Sequence, residues 1–176
     1  MKKLKLEELG RMDVAAFKAA SKTPIIIVLD NIRSMNNIGS VFRSADAFAV
    51  EAIYLCGITA QPPHREIEKT ALGATDSVQW KYFENTLAAI ADLKAKAYHI
   101  CAIEQVANSV SLAQLTIDKE LKYALIFGNE VMGVEQQVID QSDTCIEIPQ
   151  FGTKHSFNIA VTAGIVLWEC YRQLHK

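Results

Sequence analysis

Ile146-Glu147-Ile148-Pro149-Gln150-Phe151-Gly152-Thr153-Lys154-His155-Ser156-Phe157-Asn158 lies near the C-terminus of the 176-residue chain. Its first residues close a short apolar run that reads as a strand ending at Pro149. A loop around Gly152 follows, then a polar cluster, then the long apolar segment Ile159 to Leu174. Strand, Pro/Gly loop and helix start are where an α/β protein exposes backbone amides and carbonyls, and so where ligands sit. Any ordinary strand-to-helix connection has the same local grammar, so the stretch takes its meaning from the segments around it.

Working outward, the apolar runs Ile25 to Asp30, Ala52 to Cys56, Tyr98 to Ile103, Tyr123 to Phe127 and Cys145 to Ile148 read as strands. The first is a continuous β-branched run, the mark of a strand covered on both faces in a parallel sheet. Ser77 to Phe83 alternates and reads as a less buried strand. Helices are expected over Ile38 to Phe48, Thr86 to Ala97 and Val134 to Asp140, with a short one inside the loop Thr59 to Thr75. One or two short helices over Leu4 to Ala20 should pack on the main body. Strands alternating with helices along the whole length give the α/β class, with a mostly parallel sheet flanked by helices. The chain reads as a single domain, 1–176, with a helical extension over about 1–22.

The last helix, expected from near Ser156, is apolar almost all round and must be buried almost all round. A partner subunit is the simplest cover, with Gly164 between small residues allowing close approach, so a homodimer through this helix is expected. The N-terminal helices are the alternative cover.

With 50% hydrophobic and 22% charged residues the composition is globular. No apolar run approaches the ~18 uninterrupted residues that span a bilayer, and Lys2-Lys3 leads into charged rather than apolar sequence, so a cytoplasmic protein is expected. Cys56, Cys101, Cys145 and Cys170 are scattered without ligand spacing; they read as buried thiols, and no metal is expected. A formal net charge of −2 advertises no global attraction for nucleic acid. Yet Arg33, Arg43, Arg65, Lys69, Lys154 and His155 all fall in or beside the polar connections, which leaves room for a local basic site.

Neither the glycine-rich dinucleotide fingerprint nor a P-loop occurs. Three connections stand out instead. Asn36-Asn37-Ile38-Gly39-Ser40-Val41-Phe42-Arg43 places Asn37 to cap a helix and Gly39 to admit a ligand at the first turn. Arg43 lies one and a half turns on, at the rim of the apolar face. Phe127-Gly128-Asn129-Glu130-Val131-Met132-Gly133 brackets a carboxylate with two glycines after the most apolar strand. The third is the opening stretch.

Together, Asn37-x-Gly39-x-x-x-Arg43, Gly128-x-Glu130-x-x-Gly133 and Ile148-Pro149-x-x-Gly152-x-x-x-Ser156-Phe157-Asn158 resemble, in order, the three motifs of the SpoU/TrmH family of S-adenosylmethionine-dependent RNA ribose 2′-O-methyltransferases, in the SPOUT superfamily. The resemblance takes in Lys69 to Ala74 and the segment Glu7 to Lys22. It departs at Gln150, where many members carry Met, and at Phe157, where Leu is usual; both keep the bulk. It implies a C-terminal segment threaded as a deep trefoil knot, which ordinary topology rules exclude. It also implies a homodimer, S-adenosylmethionine as cofactor and RNA as partner. By the resemblance, Gly128, Ile148, Phe157, Glu130 and Gly133 hold the cofactor, with the loop after Ile103 nearby. Arg43 is the central catalytic residue, with Asn37, Glu130, Ser156 and Asn158 supporting the site and the RNA. RNA contact is assigned to Arg33, Arg43, Arg65, Lys69, Lys154 and His155.

The donor methyl is already activated, so positioning carries most of the catalysis. A guanidinium is too basic to accept the hydroxyl proton, so Arg43 reads as an electrostatic clamp on phosphate and developing alkoxide, the proton passing to phosphate or water. The competing readings are a catalytically silent RNA-binding paralogue of the same fold and a nicotinamide-dependent oxidoreductase. Between transfer RNA and ribosomal RNA, the short segment before the first strand favours transfer RNA.

Overall fold

The computed structural model describes residues 1–175, apart from the Leu6 side chain. Seven strands form one sheet: β1 (Thr23–Asp30), β2 (Val50–Cys56), β3 (Trp80–Phe83), β4 (Tyr98–Ile103), β5 (Val110–Ser111), β6 (Lys122–Phe127) and β7 (Thr144–Glu147). Their order is β3-β2-β1-β6-β4-β7-β5, and each neighbouring pair is parallel. Parallel neighbours need crossovers, and α2 (Met35–Ala47), α3 (Arg65–Ala71), α4 (Ala74–Ser77), α5 (Thr86–Ala95) and α6 (Gln136–Ile139) lie in them, while α1 (Val14–Ala19) precedes β1 and α7 (Ile159–Leu174) follows β7.

The pleat of β1 explains the layering. Ile25, Ile27 and Leu29 point into a core shared with Ile38, Phe42, Ile67, Val166 and Leu167, so α2, α3 and α7 cover that face. Ile26 and Val28 point the other way, onto Ala89, Ile90, Leu93 and Val138 of α5 and α6. Alternation along a strand apolar on both sides therefore fills two cores at once. At roughly 25 cal/mol per Å2 of apolar surface, such two-sided burial makes β1 and β6 the centre of the stabilising free energy.

Several boundaries differ from expectation for identifiable reasons. α2 starts at Met35, because Ser34 supplies the cap through its Oγ, 3.3 Å from the Asn37 amide. Asn37 therefore sits inside the first turn with its side chain free for other work. α7 starts at Ile159, not near Ser156: Asn158 Oδ1 accepts from the Ala160 and Val161 amides at 2.9 and 3.3 Å. Ile148 falls just beyond β7. The two-residue β5 has no apolar run behind it and leaves no signal in the sequence.

The N-terminal segment forms a 3₁₀ turn at Leu6–Leu9 and then α1, but packs less than expected. Phe17 is the one buried residue of α1, while Leu4, Leu9, Met12 and Val14 stay exposed. Six residues make too short a helix to bury a full face. Nor does this segment enclose α7, whose Val161 and Trp168 remain 50% and 55% exposed. Beside Trp168 lie Phe48 and Tyr171, with the Phe48 and Tyr171 rings 5.4 Å apart. Cys56, Cys101 and Cys170 are buried and Cys145 half-buried, all as free thiols. Among the described residues, no helix is long and apolar enough to cross a membrane, and no cluster of three or more His, Cys, Asp or Glu could hold a metal.

Candidate functional site

Strand order decides where the connections meet. β1, β6, β4 and β7 are consecutive neighbours in the sheet, so the segments leaving their C-terminal ends form one continuous rim. In parallel sheets ligands bind along that edge. The rim surrounds a cavity of about 730 Å3 lined by residues from all of these ends except that of β1, within the range of small-molecule sites.

The turn after β6 is the hub. Asn129 and Gly133 pair across it, amide to carbonyl in both directions, at 3.0 and 2.9 Å. The Asn129 side chain holds the turn twice: Oδ1 accepts from the Val131 and Met132 amides, and Nδ2 donates to the Asn31 carbonyl at 2.7 Å. Gly133 lies at φ 68° with the Glu104 carboxylate against its α-carbon, so glycine is required twice over, by conformation and by space. Gly128 is required by space alone. A Cβ there would stand 2.2 Å from the Gly133 carbonyl carbon and 2.3 Å from the Val134 nitrogen.

Glu130 ties this turn to the start of α2. Its Oε2 accepts from the Arg33 amide at 3.0 Å, and its Oε1 from the Ser34 amide at 2.9 Å and from Asn37 Nδ2 at 3.3 Å. Asn37 Oδ1 in turn accepts from Asn158 Nδ2 at 3.0 Å. One chain of hydrogen bonds thus joins the motifs after β6, β1 and β7. Burial pulls the Glu130 carboxyl upward, but the converging donors outweigh it and leave its pKa below the ordinary glutamate value. A depressed carboxyl stabilises the fold above its unfolded pKa, and that contribution disappears as pH falls through the folded value. Glu130→Gln should therefore lower stability near neutrality by about 1–3 kcal/mol, because an amide NH2 must face a backbone donor. In denaturant titrations run across pH, the difference from wild type should shrink on the acid side of the ordinary glutamate range.

Of the expected cofactor-binding residues, Gly128, Glu130, Gly133, Ile148 and Phe157 all line the cavity, as do Ser156, Asn158 and His155. Arg43 does not. It is exposed on the outer face of α2 while its neighbours Phe42 and Ala45 are buried, and none of the described residues bonds or pairs with its guanidinium. Arg33, Arg65, Lys69 and Lys154 are likewise exposed. Gly39 is reassigned: it is buried, and a Cβ there would stand 2.2 Å from the Ile67 carbonyl oxygen and Thr70 Oγ1. Its smallness lets α3 lie against α2 and does not admit a ligand. Thr70 seals that contact by donating to the Asn36 carbonyl at 2.9 Å. Gly152 has open space around it, so neither packing nor a positive φ demands glycine there.

Sequence reasoning missed Glu104 and Gln105 as individual contributors. Glu104 accepts from the Val134 amide at 2.9 Å and from the Gln105 amide at 2.8 Å. Gln105 Nε2 donates to the His155 carbonyl at 3.1 Å, fastening the loop before α7 to the end of β4. Their signal is simple: polar residues immediately after a buried parallel strand sit on the ligand edge.

Comparison with known proteins places the chain among RNA methyltransferases of one family. The chain is 29% identical over 153 residues to the 23S rRNA (guanosine-2′-O-)-methyltransferase RlmB of Neisseria meningitidis, covering 87% of this chain and 60% of that one. An AdoMet-bound rRNA methyltransferase from Sinorhizobium meliloti superposes with a TM-score of 0.79 at 30% identity, covering 88% of this chain and 58% of that one. The A. aeolicus TrmH/SpoU tRNA modifying enzyme gives a TM-score of 0.79 at 25% identity, with 92% and 80% covered. The chain spans about three fifths of the length of the curated bacterial relatives first matched. Residues 24–168 match the family model described as the SpoU rRNA Methylase family, and the chain belongs to that family.

Proposed function

We propose that the protein is an S-adenosylmethionine-dependent methyltransferase acting on the ribose 2′-hydroxyl of a structured RNA, transfer RNA in preference to ribosomal RNA. The observation that carries this reading is the convergence of the connections after β4, β6 and β7 on one cavity, tied to the start of α2 by the Glu130–Asn37–Asn158 hydrogen bonds. The cavity fits the cofactor. Ile103, Phe127, Ile146 and Ile148 give an apolar slot for an adenine. Gly128 leaves its backbone groups bare for hydrogen bonding. When bound, S-adenosylmethionine supplies an activated methyl group.

The chain's own residues do the positioning. Gly128, Glu130, Gly133, Ile148 and Phe157 hold the donor, and Asn37, Ser156 and Asn158 shape the RNA side. Arg43 clamps phosphate and developing alkoxide charge. Arg33, Arg65, Lys69, Lys154 and His155 give the RNA backbone its cationic contacts, whose affinity falls with salt.

The same reading includes the trefoil knot and the homodimer. Gln105 bonds the segment before α7, and Gln173 of α7 bonds the Leu115 carbonyl and the Ile117 amide at 2.8 and 3.0 Å. Both contacts support a C-terminal segment passed through the preceding loops. The exposed Trp168 and Val161 on α7 support a second copy of this helix as the cover. Arg43, outside its own chain's cavity, then serves the partner's site. Trp168→Glu should shift the protein from dimer to monomer in sedimentation equilibrium; an unchanged mass would place the interface elsewhere.

Calorimetry with S-adenosylmethionine and with NAD tests the cofactor assignment. Binding of the former alone is expected, and no binding of it would refute the assignment. A chain that bound both cofactor and RNA without transferring methyl groups would be the silent paralogue.

A further inference from the structure

The charge of the cavity wall bears on which ligand the cavity retains. Glu104, Glu130 and Glu147 line it; His155 is the sole basic side chain among the lining residues. Two of the carboxylates are compensated locally. Glu104 accepts from two backbone amides, and Glu130 from two amides and the Asn37 side chain. Glu147 differs. It is the last residue of β7, half-buried, its backbone held in register with Ser111 of β5. Its carboxylate has no hydrogen-bonding or ion-pairing partner among the described residues.

Methyl transfer changes the ligand's charge by one unit. The 2′-oxygen uses a lone pair to form the new O–CH3 bond, the S–CH3 bonding pair stays on sulfur, and the hydroxyl proton leaves to phosphate or water. A sulfonium cation goes in, and a neutral thioether remains. We propose that this cavity discriminates between methyl donor and spent product by charge, and that Glu147 is the specificity-determining residue. The proposal rests on the cofactor assignment above. An uncompensated carboxylate in a partly enclosed, low-dielectric cavity attracts the cationic donor and gains nothing from the thioether. The neighbouring amide dipoles offset part of the field of Glu104 and Glu130, which leaves Glu147 the least compensated carboxylate of the wall. Fresh donor thereby displaces product, so turnover resists inhibition by its own thioether.

The test is a pair of dissociation constants measured by calorimetry on the full chain, without RNA or turnover. The probes are S-adenosylmethionine, S-adenosylhomocysteine and sinefungin, whose protonated amine replaces the sulfonium charge. In Glu147→Gln the ratio of thioether to sulfonium dissociation constants should fall roughly threefold to tenfold, with sinefungin tracking the sulfonium and the thioether barely changed. Glu147→Lys should push the ratio further the same way, and raising salt should shrink the wild-type ratio. A ratio unmoved in both variants, or equal losses for all three ligands, would overturn the role of Glu147 while leaving the cofactor assignment standing. A wild-type chain that binds none of the three would refute that assignment and this proposal together.

Discussion

Replacing Arg43 by alanine is expected to lower methyl transfer by roughly 10²–10³-fold while leaving S-adenosylmethionine affinity unchanged. The separation of the two effects follows from its position. Arg43 stands exposed on α2, beyond the cavity lined by Gly128, Ile148 and Phe157, with no protein partner among the described residues to lose. Fold and donor binding therefore have no stake in it. Arg43→Lys keeps the charge but loses the planar fork that meets two phosphate oxygens at once, so activity should recover only in part. Single-turnover assays beside calorimetry on the same preparations separate the outcomes. Near-normal turnover in the lysine variant would reduce the role to bulk charge, and a matching loss of cofactor affinity would place Arg43 inside the donor site.

The second large effect is expected at Gly128. A methyl group there meets backbone at 2.2 to 2.4 Å: the Gly133 carbonyl carbon and oxygen and the Val134 nitrogen. Backbone cannot rotate aside as a flexible side chain would. The Asn129–Gly133 turn must move, and Glu130 and Glu104, which fasten it to α2 and β4, must move with it. Gly128→Ala should weaken S-adenosylmethionine binding by about 100-fold or more and destabilise the fold by about 1–3 kcal/mol. Gly152→Ala is the control for stability, since a methyl group there would have nothing within 4 Å and its unfolding midpoint should stay where it is. Cofactor affinity retained in Gly128→Ala would show that the turn does not form the donor's wall.

Much of the architecture is legible in the sequence because β1, β4 and β6 are apolar on both faces, a pattern few arrangements other than a covered parallel sheet accommodate. The candidate site is legible in part: Gly128, Glu130, Ser156 and Asn158 stand out after strands and line the cavity, while Asn37 reaches it only through hydrogen bonds. Their roles are less so. Local sequence makes Asn37 the cap of α2, but Ser34 is the cap and Asn37 bridges Glu130 and Asn158. It makes Gly39 the entry for a ligand, whereas Gly39 admits α3. Both differences have one cause: local grammar records that a residue is small or polar, and tertiary packing decides what it meets. β5 escapes notice because two half-buried residues carry no periodicity. The all-round apolar pattern of α7 predicts a helix buried on every side, whereas Val161 and Trp168 stay exposed, so within this chain one side falls short of that expectation.

The most direct measurement of the central claim is nucleoside mass spectrometry on cellular RNA incubated with the protein and trideuteromethyl-labelled S-adenosylmethionine. Labelled methyl is expected on ribose, at a restricted set of positions, and should be lost with Arg43→Ala. Label on a base, or none in RNA from a preparation that binds the donor, would contradict that claim.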